Sequence, residues 1–421
     1  MNKGQKLILS AVLIVLLFVN LPFVSACAKP VPQVAVHEYI IPTYADVTGP
    51  YSELQPIISP SKTLVFDWWN ENVGKKLGVK LVSKTYDNRY DTAESASIHA
   101  RAVVNDKPIA ILTEGAPGVL PIIMKVEEQK IVVIHGSPGS GFFNVTEGFV
   151  FCPLRDWATL ATGSFEWFCE DYWKKPQKPR VVLTIFEGVA GKDIATPILM
   201  WEKTYPKAEY AFNGEVQWHP ANPVDLSGLV RKIVEEGKPD LISFAGTAVG
   251  SAAFYSAMQE LGYLHKVPIL NPPNVSLTAL SEMLGADKLE GDFEYNGINY
   301  SPGTEAEKIF MNNINKYRPG TPWGGIGSQF SFQVYLLTRA VERAVANVGS
   351  DNLTGQALYD VLNKGEFKAD ELYGLTGDIK FNPQDRLAGI RTVYVYQMKD
   401  GKPQMVGQHA LSDVTLSLKK W

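Results

Sequence analysis

Ile109-Ala110-Ile111-Leu112-Thr113-Glu114-Gly115, Val182-Leu183-Thr184-Ile185-Phe186-Glu187-Gly188 and Leu241-Ile242-Ser243-Phe244-Ala245-Gly246-Thr247 follow one pattern. Each is an apolar run of strand length that stops at small or acidic residues before a helical stretch. In open α/β sheets, ligands bind outside the carboxyl ends of the strands. Glycine at such an end lets the backbone approach a ligand closely.

The same alternation extends outward in both directions. Val34–Tyr44, Val79–Tyr86, Ile109–Leu112 and Ile131–Ile134 read as buried strands, with helices over Ser61–Val73, Thr92–Val104 and Gly118–Glu128 between them. A second set has strands at Val181–Phe186, Glu209–Val216, Leu241–Ala245 and Val267–Leu270. Its helices are Lys192–Thr204, Val224–Glu236, Gly250–Leu261 and Leu277–Leu284. Asp225 and Ser227 open one helix, and Gly262 closes another as a C-cap. Strand and helix in turn predict α/β architecture with parallel sheets, in two doubly wound units. Further on, Glu305–Tyr317, Ser328–Val348 and Gly355–Asn363 read as helices. Gly377–Phe381, Thr392–Met398 and Met405–Gln408 read as short strands, the last two joined by an Asp400-Gly401 turn. Trp68 and Trp69 share a helical stripe with Leu64, Val65 and Val73, which reads as core.

The chain of 421 residues is long enough for more than one domain. With 45% hydrophobic and 20% charged residues it is a folded chain. A net charge of −4 gives no basic face for nucleic acid. Three cysteines are too few for a disulfide-built scaffold. Lys3 and Lys6, the apolar run Leu7–Val19 and Val24-Ser25-Ala26-Cys27 describe a secretory signal. The small residues before Cys27 resemble the lipobox of bacterial lipoproteins. That resemblance implies removal of residues 1–26, a lipid on Cys27, a tether over 27–33 and an extracytoplasmic, membrane-anchored body. Cys152 and Cys169 then lie outside the reducing cytoplasm, either bonded or as two buried thiols.

Four further motifs carry a second resemblance: Ala45-Asp46-Val47-Thr48-Gly49-Pro50-Tyr51, Tyr86-Asp87-Asn88-Arg89-Tyr90-Asp91-Thr92-Ala93, Asp225-Leu226-Ser227 with Pro239-Asp240-Leu241-Ile242, and Gly374-Leu375-Thr376-Gly377-Asp378-Ile379-Lys380-Phe381-Asn382. In this order the chain resembles the type I periplasmic substrate-binding proteins of ABC transporters, in the leucine/isoleucine/valine-binding branch. The resemblance runs from about Val34 to about Lys399. It implies two Rossmann-like lobes joined by three crossovers, 34–150 with 294–370 and 151–293 with 371–421. It implies a small-molecule ligand held between them by hinge closure, a permease partner, a monomer and no cofactor.

The resemblance places Tyr51 in the cleft, where a tyrosine can stack and hydrogen-bond. Ser137, Pro138 and Gly139 fall in the segment that offers hydroxyl and N–H groups to a ligand carboxylate. Glu114, Gly115 and Ala116 stand at one strand end, Glu187 and Thr247 at two others. Asn274 lies where amino-acid binders carry a glutamate for the ligand's ammonium, and Trp323 sits in a loop at the rim. Enzyme readings find little support. Gly188-Val189-Ala190-Gly191-Lys192-Asp193 lacks the spacing and the hydroxyl of a phosphate loop. The six histidines show no metal-ligand spacing. The expected function is solute capture for an importer; a sensing receptor and an extracellular hydrolase are the alternatives.

Overall fold

Nine residues of β1 (His37–Ala45) pair in parallel register with β2 (Val79–Asp87), and this pair founds the first sheet. β3 (Ala110–Thr113), β4 (Val132–His135) and β5 (Val150–Phe151) complete it in the order β2-β1-β3-β4-β5, all parallel. The order reverses between β1 and β3, so the loops after these two strands part and leave a crevice. The computed structural model describes residues 35–137, 148–363, 365–381 and 390–417.

The second sheet repeats that order. β6 (Arg180–Phe186) has β7 (Glu209–Tyr210) and β8 (Gln217–His219) on one side and β9 (Leu241–Ala245) on the other. β10 (Ile269–Asn271) and β11 (Phe293–Asn296) follow, again parallel. A small ladder of β12 (Glu366–Phe367) and β13 (Ile379–Lys380) stands apart. An antiparallel hairpin, β14 (Thr392–Lys399) and β15 (Lys402–Ala410), extends the second sheet beyond β11. Its turn is Asp400-Gly401, both at positive φ, the geometry a two-residue hairpin needs.

The helices follow the apolar stripes. α1 (Gln55–Trp69) begins six residues before the expected start, with proline in its first turn and Pro60 inside it. Trp69 is fully buried and its indole N–H donates to Glu342 Oε1 at 2.8 Å, so it is core, as expected, whereas Trp68 is half-buried and packs against that core. α2 (Thr92–Asp106) is capped by Asp91, and α3 (Trp157–Trp167) by Asp156. α4 (Val189–Glu202) follows β6. α5 (Ala248–Glu260) ends at Gly262, at φ +72°, and α6 (Leu277–Leu284) is capped by Ser276. Two expectations fail locally. Residues 118–128 form two short helices, Ala116–Val119 and Ile123–Glu128, because Pro121 interrupts them. Residues 209–216 are not one strand: the turn Ala211–Gly214 breaks it, with Phe212 and Asn213 at positive φ.

α7 (Glu305–Tyr317) and α8 (Gly325–Val348) follow β11, and α7 packs with the first core and with Leu64 of α1. Both α1 and α8 belong to two cores. Ile57, Ile58, Ile326 and Phe330 pack with Phe254, Tyr255 and Leu280 of the second half. Val65, Phe66, Trp69 and Phe332 to Leu337 pack under the first sheet. The expected divisions at 150/151, 293/294 and 370/371 differ from sheet and core membership. Phe151 pairs in the first sheet. β11 is held on both sides, by β10 and β14. Leu372, Leu375, Ile379 and Phe381 are buried in the first core.

Cys152 and Cys169 are not bonded to each other. Cys152 lies in the first core, whereas Cys169 follows α3 and packs against the second sheet's outer core. Burial pushes the Cys169 thiol up to about 12. Near it, Glu166 Oε1 accepts from Trp201 Nε1 (3.0 Å), Ser412 Oγ (2.7 Å) and Thr415 Oγ1 (3.0 Å), tying the stretch after β15 to α3. Cys27 lies outside the described residues. Among the described residues no helix is long and apolar enough to cross a membrane.

Candidate functional site

The crevice at the first sheet's reversal point is a cleft with about 480 Å³ of space free of protein atoms, its open mouth included. Its first wall is the loop after β1. Asp46 accepts from the backbone N–H of Gly49 (2.6 Å) and of Tyr51 (2.8 Å), which folds this loop back on itself. A side chain at residue 49 would collide with the Asp46 carboxylate and the Arg89 backbone, so only glycine fits. Burial raises the Asp46 carboxyl, although its two N–H partners oppose the shift.

The loop after β2 is tied to the first. Asp87 accepts from Val47 N (3.0 Å), Thr48 Oγ1 (2.6 Å) and Arg89 N (3.0 Å). Tyr90, at positive φ, is anchored by its N–H on Asn88 Oδ1 at 3.1 Å. Its ring stands 4.9 Å from that of Tyr51. A Cβ at Gly115 would strike the Tyr90 ring, so this glycine makes room for the aromatic pair. Burial raises both phenols, Tyr51 well above its ordinary value and Tyr90 up to about 12, so both remain neutral hydroxyls.

At the end of β3, Glu114 does not point to solvent. It forms a buried ion pair with Lys62 of α1, and Gln55 Nε2 donates to its Oε2 at 2.5 Å. The Lys62 ammonium also lies 5.6 Å from the Phe330 ring centroid. The pair's charges cancel, and the carboxylate's partners lie within the protein.

Trp157, Asn274 and the first turns of α8 form the opposite wall. Asn274 Nδ2 donates to Gly246 O at 3.1 Å, and its amide reaches the Tyr51 hydroxyl. Gln329 Nε2 donates to Gly136 O at 2.7 Å. Among the described residues, Gln55 Oε1, Asn274 Oδ1, Gln329 Oε1 and Trp157 Nε1 have no hydrogen-bond partner, although all four side chains are buried.

Of the residues expected at the site, Tyr51, Glu114, Gly115, Ser137 and Asn274 line the cleft. Pro138 and Gly139 lie outside the described residues. Ala116 is buried at the start of a short helix and is not part of the lining. Three others are elsewhere. Glu187 is exposed. Thr247 caps α5, accepting from Gly250 N at 3.0 Å and donating to Ala221 O at 2.5 Å. Trp323 does not reach the cleft, because its ring packs on Phe310 and its N–H donates to Tyr300 O at 3.0 Å.

Sequence reading missed Lys62, Gln55, Trp157 and the α8 residues Ile326, Gln329 and Phe330. The α8 residues reach the cleft from far along the chain and carry no local signal. Asp46, Asn88 and Tyr90 were within reach, since they sit in two of the motifs quoted above. Among the described residues no group of three or more His, Cys, Asp or Glu is placed to hold a metal ion.

A family model described as periplasmic binding protein matches residues 39–403. Among curated proteins no relative matches. Several solved structures share the fold. A branched-chain amino acid ABC transporter protein from Thermus thermophilus with bound valine superposes with a TM-score of 0.74 at 16% identity, covering 90% of this chain and 98% of its own. A fatty acid ABC transporter substrate-binding protein from Thermomonospora curvata gives 0.74 at 19% identity, covering 92% and 96%. A solute-binding protein of an ABC transporter from Rhodopseudomonas palustris BisB5, in complex with 3,4-dihydroxybenzoic acid, gives 0.72 at 15% identity, covering 89% and 98%. At these identities the likeness establishes the fold and leaves the ligand open.

Proposed function

The chain belongs to the periplasmic binding protein family, and on that premise we propose that it captures a small polar solute outside the cytoplasm for an ABC importer. The observation that carries this reading is the make-up of the cleft. Loops of the first sheet form one wall, with Tyr51, Tyr90 and Glu114, and Asn274 after β10 of the second sheet faces them. A solute touching both walls is held best when they are close together. Binding therefore favours a closed arrangement by its differential affinity, and a permease has a conformation to read. The ligand is an amino acid, an amide or a related compound. The chain acts as a monomer tethered by a lipid on Cys27, with the signal before it removed.

A thermal-shift screen over amino acids, amides, ureas and aromatic acids tests this. A true ligand at a hundred times its Kd stabilises by about 2.7 kcal/mol and raises the melting temperature. A panel that leaves the melting temperature unmoved, together with turnover of an amide or ester, would overturn solute capture in favour of hydrolysis. Mass spectrometry of the N-terminal peptide tests the anchor: it should begin at Cys27 and carry acyl mass, and Cys27→Ala should release the protein from membranes.

A further inference from the structure

Among the described residues, three of the four leftover polar atoms of the cleft lining are acceptors, and the fourth is the indole N–H of Trp157. Gln55, Asn274 and Gln329 are 9%, 6% and 0% exposed, and each presents a carbonyl oxygen without a partner. Their orientation is not arbitrary. The amide nitrogens of Asn274 and Gln329 donate to the backbone carbonyls of Gly246 and Gly136, and that of Gln55 to the Glu114 carboxylate. None of these partners can donate in return, so turning any amide over would set oxygen against oxygen. A buried acceptor left unmade is costly, and donors from a bound molecule relieve it.

The charges of the wall agree with this. Lys62 is engaged by Glu114, and Asp46 is engaged by two backbone N–H groups. Neither offers a cation to a carboxylate. The Tyr51 and Tyr90 rings add a flat apolar surface.

We propose that the solute is recognised in this cleft through a planar, N–H-rich head, a carboxamide, urea or guanidinium group, whose hydrogens meet the carboxamide oxygens of Gln55, Asn274 and Gln329. This deepens the solute-capture reading and rests on it. The head donates to these three oxygens, where a carboxylate of the same shape is repelled, and the Trp157 indole N–H is left to meet a carbonyl oxygen beside them.

Calorimetry on the whole protein with matched probes tests the idea: butyramide, propylurea and propylguanidinium against butyrate. At least one N–H-rich probe should bind, with butyrate at least 100-fold weaker. Asn274→Leu and Gln329→Leu should each weaken that probe at least tenfold. Two variants are used so that one that fails to fold leaves the other to decide. A charged probe binding far better than the neutral two would identify the head as guanidinium, and the reverse as amide or urea; both support the inference. Butyrate binding as tightly as the amide, or affinity unchanged within twofold in a folded variant, overturns the donor-head inference and leaves solute capture standing. Failure of these probes and of the wider amino-acid and aromatic-acid panel overturns both.

Discussion

The two sheets reverse their strand order at equivalent places, yet only one reversal point opens into the cleft. After β1 and β3 the chain sets Asp46, Tyr51 and Glu114 around a cavity. After β6 and β9 the equivalent residues are Glu187, which is exposed, and Thr247, which is consumed as a helix cap. The second half reaches the cleft through Asn274, one strand further along. Topology therefore nominates two crevices, and side-chain partners decide which one remains available.

The two halves also bury acids differently. Glu114 is neutralised by Lys62. Among the described residues Asp292 and Glu294 have no cation beside them and rely on neutral donors. Asp292 accepts from Tyr255 OH (2.8 Å) and Ile269 N (2.8 Å), and Glu294 accepts from Leu277 N (2.8 Å) and Tyr300 OH (3.0 Å). Burial pushes their carboxyls up to about 8 and about 7. One half holds its acid by a counter-charge, the other by a retained proton.

The largest test of that contrast is Lys62→Met. It leaves Glu114 charged and buried, and denaturant unfolding should show a loss of about 3–5 kcal/mol. Adding Glu114→Gln should restore most of it, and a single variant as stable as the wild type would break the comparison. Next comes the proton. The unfolded Asp292 carboxyl ionises near 3.8 and the folded one near 8, so between these values the folded chain holds one proton more. Stability from this group is complete below about pH 4 and lost as pH rises towards 8. Between pH 5 and pH 7 the fall is about 3 kcal/mol for this one group. Asp292→Asn should reduce the slope of stability against pH by one proton, leaving the Glu294 contribution in place.

Third, Tyr51→Ala removes half of the aromatic wall. Calorimetry with the ligand found by screening should show affinity lower by about 1–3 kcal/mol, with Tyr51→Phe intermediate. The smallest effects belong to the second reversal point. Thr247→Ala should cost about 1 kcal/mol of stability as a lost cap and leave affinity unchanged. Glu187→Gln should change stability by less than about 0.5 kcal/mol. A tenfold loss of affinity in either variant would show that this crevice also serves the ligand.

The fold was legible because its signals are local. Apolar runs, the Gly262 cap and the Asp400-Gly401 turn each act within a few residues. The site was legible where it lies on strand ends, as with Tyr51, Glu114 and Asn274. The fate of those residues was not legible. Whether Glu114 is free or neutralised depends on Lys62, 52 residues away and itself read only as a helix position. Gln329 enters from 193 residues beyond the carbonyl it binds. Thr247 reads equally well as a cap or as a contact, and only the placement of Gly250 and Ala221 decides.

The Glu166 carboxylate has a consequence for the order in which the molecule is made. Its hydroxyl partners Ser412 and Thr415 come 246 and 249 residues later, and the β14–β15 hairpin that completes the second sheet comes only just before them. The first sheet is closed by residue 151. During synthesis the strands of the first sheet are therefore all available while α3 still waits for its latch. Contacts this distant in sequence form slowly. The second half is the last to lock, and an interrupted chain that stops before residue 412 carries Glu166 buried against α4 with two of its hydroxyl donors missing.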